Sequence, residues 1–175
     1  MKLLPTFVII FITYILYVAW YLSSEYKHSV DIIITDSSNN FIPTFLAKSY
    51  LSINKYSVST KQFNEAPAFF YVATQYGEQG FNKSECLWLL REMLASGVNI
   101  NFQYQGYTAL NGAILANEPE LVKLLLEYGA STKVQTNSPT SKKCQNLESL
   151  EFAECINSLG KKDLSNIISI LKSKT

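Results

Sequence analysis

The chain has 175 residues, with 15 lysines and arginines against 14 aspartates and glutamates, 47% hydrophobic and 13% aromatic residues, one histidine and three cysteines. The charge balance excludes the basic excess needed to hold nucleic acid by counterion release, and the hydrophobic fraction excludes a disordered chain. One histidine, three scattered cysteines and no glycine-rich phosphate loop leave most catalytic, zinc and nucleotide chemistry without parts, so no metal, cofactor or small-molecule substrate is expected.

The first element is the uncharged stretch Leu3–Leu22. As a helix rising about 1.5 Å per residue it spans roughly 30 Å, the thickness of a bilayer's hydrocarbon core. The expectation is a transmembrane signal anchor over residues 1–22, with Tyr14, Tyr17, Trp20 and Tyr21 as an aromatic belt at one interface. A cleaved signal, whose weak cleavage candidate follows Ser24, and a buried helix are the alternatives. Lys2 ahead of the span favours a cytoplasmic tail, which predicts a single-pass protein of a bacterial inner membrane with its C-terminal domain in the periplasm. Residues 23–40 read as a juxtamembrane linker, and His28 falls within it.

The body, residues 41–175, follows. Asn39 or Asn40 can cap a helix from Phe41 to Tyr50, with Pro43 in its first turn, forming an N-terminal cover over 41–60. The apolar residues flanking Cys86 stand at helical spacing, so Cys86 reads as packed rather than reactive. Asn82-Lys83-Ser84 spells a glycosylation acceptor, relevant only in a eukaryotic secretory pathway. The clearest segment is Gln105 to Thr132. Gly106 suits a tight turn, Thr108 caps a helix whose stripe is Leu110, Ala113 and Ile114, and Pro119 opens a second helix that buries Leu121, Val122, Leu124 and Leu125 and stops at Gly129.

These residues resemble the ankyrin repeat, in which G-x-T-P-L-H-x-A-A is followed by a turn and E-I-V-K-L-L-L-x-x-G-A. Gly106, Thr108, Leu110, Ala113, Glu120, Val122, Lys123, Leu124, Leu125, Leu126, Gly129 and Ala130 occupy matching positions. Ala109, Asn111 and Asn117 stand where the pattern has Pro, His and Gly. A single repeat cannot bury its apolar face, and degraded neighbours are present, giving repeats at about 61–104, 105–132 and 147–175; for the first, the resemblance implies a first helix from Ala66 to Tyr76, a loop from Gly77 to Lys83 and a second helix ending near Gly97. The resemblance implies an all-α fold, a short stack of helix-turn-helix repeats, here preceded by the N-terminal transmembrane helix.

Between Val98 and Leu110 lie 12 positions, whereas the equivalent Ala130 and Leu150 are 20 apart, so residues 133–146 form an insert. It is polar, lacks an apolar period and carries Pro139, Lys142 and Lys143, so it reads as an exposed loop of the kind that projects from a binding face. Cys144 and Cys155 can close a small disulfide loop in oxidising surroundings; the other reading is two free thiols, with Cys155 a small core residue.

Catalysis is not expected. No G-x-S-x-G occurs, and Glu118 with Glu120 and Glu151 with Glu154 read as solvated helix charges. The resemblance implies instead a protein partner bound by the turn fingers and first helices. Phe102, Gln103, Tyr104 and Tyr107 in the aromatic finger Asn101–Tyr107, Asn111 and Leu115 on the helix after it, and Lys142 and Lys143 of the insert are the candidate contacts, with Phe69 to Tyr71 secondary. Charge is split, net −3 over 61–132 and net +3 over 133–175. Small ankyrin-bearing proteins with an N-terminal anchor are similar to immunity proteins of bacterial toxin systems, including those against type VI effectors such as phospholipases or wall hydrolases. The expected function is therefore stoichiometric occlusion of a cognate toxin, the alternative being a membrane-tethered scaffold or assembly factor for a periplasmic enzyme.

Overall fold

The computed structural model describes residues 3–23, 34–35, 42–54, 62–63, 66–137 and 142–174. Asn39, Asn40, His28, most of the 23–40 linker and residues 138–141 of the insert therefore lie outside the described residues. The described residues form eight helices and one pair of two-residue strands, so the all-α class expected from the sequence is present. The helices are α1 (Leu3–Ser23), α2 (Thr44–Asn54), α3 (Ala68–Gln75), α4 (Lys83–Ala95), α5 (Ala109–Ala116), α6 (Pro119–Glu127), α7 (Ser149–Ser158) and α8 (Ser165–Lys172). The strands β1 (Gln62–Phe63) and β2 (Ala66–Pro67) pair antiparallel, Gln62 with Pro67 and Phe63 with Ala66, and lead directly into α3.

Helices α3 to α8 form three antiparallel pairs, α3/α4, α5/α6 and α7/α8. The first members pack in a row, α3 on α5 and α5 on α7, while α6 packs on α8 behind them. The local reasons are readable in the central pair. Thr108 Oγ1 accepts the backbone N–H of Asn111, and Asn111 Oδ1 accepts that of Thr108, a reciprocal cap that starts α5. Asn117 ends α5 in the left-handed conformation with φ 62°, which an asparagine tolerates at the position the repeat pattern gives to glycine. Pro119 then opens α6, where its missing N–H costs nothing. Gly129, φ 87°, closes that helix with the paired bonds Ala130 N–H to Leu125 O at 2.9 Å and Gly129 N–H to Leu126 O at 3.2 Å. Leu110, Ile114, Leu121, Val122 and Leu125, essentially without exposed surface, form the centre of a core that runs from Leu89 and Met93 of the first pair to Phe152, Ile167 and Leu171 of the third.

The N-terminal cover begins later than its sequence implies. Pro43 precedes α2, and the Leu46 N–H donates to its carbonyl, so the helix runs from Thr44 to Asn54. Lys48 docks it on α4 by pairing with Glu85 while its ammonium lies 4.8 Å from the Trp88 ring centre. In addition, the Asn82 N–H reaches Thr35 O at 2.8 Å.

The expected single-pass inner-membrane placement through residues 1–22 is corrected. Among the described residues no helix is long and apolar enough to cross a membrane. Moreover, Val18 is buried in the body's hydrophobic cluster, with Tyr14 and Tyr21 packed against it. The expected aromatic belt is in part a local cluster, with Tyr17 stacked on Tyr21 at 6.1 Å.

Candidate functional site

The finger between the first and second helix pairs is a two-residue hairpin. Tyr104 and Tyr107 exchange backbone bonds of 2.9 and 3.0 Å, and the residues between them, Gln105 and Gly106, both have positive φ (50° and 79°). Such a turn matches the natural twist of paired strands and explains why a glycine stands at 106. The hairpin sends its two tyrosines in opposite directions along the stack. Tyr104 meets Phe70 of α3 edge-on at 5.6 Å, and Tyr107 lies 6.4 Å from Phe152 of α7. Both remain half-buried, so each ring joins neighbouring pairs and still shows a face to solvent.

In front of these rings is a cleft of about 400 Å³. Phe70, Tyr104, Tyr107 and Leu115 supply its apolar walls, and Ala73, Gly112 and Ala116 keep the floor low. Its charged edges are Glu78, after α3, and Lys162, in the turn before α8. The Lys162 ammonium donates to Leu115 O at 2.9 Å, which holds the cation at the cleft. A methyl group added at Gly112 would meet nothing within 4 Å, so the floor there opens on free space.

Of the residues expected to touch a partner, Tyr104, Tyr107 and Leu115 line this cleft. Gln103 instead donates to Gln135 O at 2.9 Å, tying the finger to the start of the insert. Phe102 is half-buried in the turn, its N–H on Asn99 O. Lys142 and Lys143 are exposed on the insert, outside the cleft lining. Asn111 needs correction as a contact. It has no exposed surface, and it accepts from the Thr108 hydroxyl at 2.7 Å while its Nδ2 donates to Ser149 Oγ at 3.4 Å on the next pair. It is an internal bridge between repeats. Phe70 lay among the secondary candidates, whereas Glu78 and Lys162 were not singled out because only folding brings them to the finger.

The insert is less exposed than its composition implies. Thr136 and Cys144 are buried, the Thr136 N–H donates to Leu147 O at 3.0 Å, and its hydroxyl donates to Cys144 O at 3.2 Å. Cys144 is joined to Cys155 of α7 as a disulfide, Cα to Cα 5.9 Å. The Asn137 N–H donates to Gly106 O at 2.9 Å, so the insert buttresses the finger from behind. The acceptor asparagine of the glycosylation motif, Asn82, is engaged as the cap of α4, accepting from Ser84 and Glu85 N–H.

The remaining titratable groups serve the stack. Lys83 donates to both oxygens of Glu118, and the Tyr76 hydroxyl donates to Glu120 at 2.9 Å. Burial first, then the hydrogen bond and charge of Glu120, raise the Tyr76 phenol above its ordinary range. Burial, reinforced by the charge of Glu85, pushes the Cys86 thiol up to about 11, which leaves it protonated and unreactive near neutrality. Among the described residues no group of histidine, cysteine or acidic side chains is arranged to hold a metal ion. No known family's profile matches the chain, and no curated protein sequence matches it.

Proposed function

We propose that the chain is a non-enzymatic, ankyrin-type protein-binding module that neutralises a cognate secreted toxin by occupying its surface. The observation that carries the reading is the cleft itself. Half-exposed aromatic rings from the finger stand over a low floor of alanine and glycine. Aromatic anchors in a shallow, partly desolvated groove are typical of protein interfaces. The ankyrin assignment rests on the twelve matched positions of the central repeat and on three stacked helix pairs with a hairpin finger. The toxin-neutralising role rests on the resemblance to small immunity proteins.

The test uses Gly112. Because a Cβ at Gly112 meets nothing within 4 Å, Gly112→Leu projects its side chain from the floor into the cleft, and leaving glycine in mid-helix favours α5 by roughly 0.5 to 1 kcal/mol. The reading predicts that a neighbouring gene encodes a toxin and that co-expression with it restores growth, and Gly112→Leu should abolish that rescue while keeping or raising thermal stability. Failure of the unmodified chain to rescue cells that make both proteins refutes the neutralising role. Full rescue by a stably folded Gly112→Leu variant moves the binding surface away from the cleft.

A further inference from the structure

We propose that the cleft receives a short protein segment bearing a single carboxylate, which pairs with Lys162 while an adjacent large apolar side chain lies against Phe70, Tyr104 and Leu115. This deepens the protein-binding reading and rests on it.

The shape of the site selects an elongated occupant. Its lining comes from all three helix pairs: Phe70 and Glu78 with the first, Tyr104 and Leu115 with the second, Lys162 from the third. A small-molecule site needs several polar groups converging on one point. Here the Thr74 hydroxyl is spent on Tyr71 O, and the charges stand at Glu78 and Lys162 beside apolar walls.

The charge selects the chemistry. Lys162 is oriented by an uncharged carbonyl, Leu115 O, and among the described residues it pairs with no carboxylate. Apart from Glu78, which shares the cleft, the acids of the third pair and the turns beside it are committed elsewhere. Glu148 pairs with Lys133 at 2.9 Å and Glu154 with Lys172 at 2.9 Å. Glu151 accepts the Glu148 N–H, and Asp163 accepts both the N–H and the hydroxyl of Ser165. A cation held beside aromatic walls without a counter-ion is complementary to an incoming carboxylate, and water excluded by the apolar contact strengthens that pair. Glu78 on the same cleft penalises a second acid, so the complementary sequence carries one acid beside its anchor rather than an acidic run.

The probe is a random dodecapeptide library displayed on phage and selected on the full chain with its disulfide intact. Enriched peptides should share one Asp or Glu next to an aromatic or large aliphatic residue. Lys162→Gln keeps a donor for Leu115 O and removes the charge. It should weaken a synthetic enriched peptide about tenfold, and amidating the peptide's acid should then cost nothing further, the signature of a direct pair. Three outcomes overturn the proposal. Enriched peptides without acids, or Lys162→Gln with unchanged affinity while Phe70→Ala and Tyr104→Ala bind poorly, remove the carboxylate and leave the cleft as a protein-binding surface. Binding indifferent to Lys162, Phe70 and Tyr104 alike removes the cleft as well. No enrichment shows that the cleft does not take a short segment, and the co-expression test then stands alone for the toxin-neutralising role.

Discussion

Replacing Asn111 by alanine tests how the stack is held together. The side chain has no exposed surface and makes three bonds: it accepts from the Thr108 N–H and hydroxyl and donates to Ser149 across the repeat interface. Alanine keeps the backbone bond from residue 111 to Thr108 Oγ1 but removes one half of the cap, worth about 1 kcal/mol. It also leaves the buried Thr108 hydroxyl without its acceptor, a further cost of about 1–3 kcal/mol. The Ser149 bond is long and neutral, so its share is small, about 0.5 kcal/mol. The expected loss is about 2.5–4.5 kcal/mol, a large fraction of the roughly 5–15 kcal/mol available to a domain of ordinary stability. Urea denaturation of the parent, Asn111→Ala, Ser149→Ala and the double variant measures it, with coupling between the two sites below about 1 kcal/mol. A loss under about 1 kcal/mol for Asn111→Ala refutes the view that a buried polar bridge, rather than apolar contact alone, fixes the second pair on the third.

Cys155→Ser opens the covalent loop to Cys144, 11 positions away, and should cost about 3 kcal/mol by the loop-closure relation, with faster amide exchange in residues 142–147; unchanged stability under reducing and oxidising conditions contradicts it. Gly77→Ala places a methyl against the Glu118 carboxylate on a backbone with φ 91°, so it should lose about 1–2 kcal/mol, whereas Lys83→Ala removes the ion pair to Glu118 and the cation 5.1 Å from the Tyr76 ring centre; a loss under about 0.5 kcal/mol for Gly77→Ala shows that backbone strain contributes nothing. The raised Cys86 thiol binds its proton more tightly folded than unfolded, so stability is fully present below the ordinary thiol value of about 8.5 and falls as pH rises toward about 11. Tyr76 adds a fall in the same direction at still higher pH. Urea titrations from pH 7 to 11 should show the decline, and Cys86→Ala should flatten its first part; a stability that rises with pH reverses the sign and the argument.

The central pair was legible because each of its boundaries is set by a local rule. Thr108 caps, Pro119 opens and Gly129 closes, and none of these needs tertiary context. The cleft was half legible. Tyr104, Tyr107 and Leu115 fall on the finger and on the exposed side of the following helix, where periodicity can find them. Lys162 and Glu78 lie 58 positions or fewer from Tyr104 in sequence but on turns of different pairs, and no period connects a turn with a distant finger. Asn111 was misplaced for the same reason. On a helical wheel it lies beside Leu115, and only the position of Ser149 on the next pair shows it to be interior. The insert was misread because composition reports polarity, not burial. Thr136 is polar and buried because two carbonyls, of Cys144 and Leu147, surround it. The apolar N-terminal stretch was read from its length, lack of charge and aromatic end, none of which shows that Val18 takes part in the body's own core.

The bonds that join one pair to the next are largely polar and few: Asn111 to Ser149, Tyr76 to Glu120, Lys83 to Glu118, Asn101 Oδ1 to the Ser131 N–H and Lys162 to Leu115 O. Stability of a linear stack is close to a sum of unit terms and nearest-neighbour terms, so these bonds add specificity to a coupling that the shared apolar core supplies. Two of the groups that couple pairs, Tyr104 and Lys162, also form the wall and edge of the cleft. An occupant of the cleft therefore touches all three pairs at once and adds to the neighbour terms between them. Binding should raise the melting temperature of the whole stack, by RT ln(1 + [L]/Kd) in free energy, rather than rigidify the finger alone. Hydrogen exchange separates the cases: protection that spreads to α7 and α8 on binding supports coupling through the cleft, and protection confined to residues 101–107 shows that the finger binds without communicating with its neighbours.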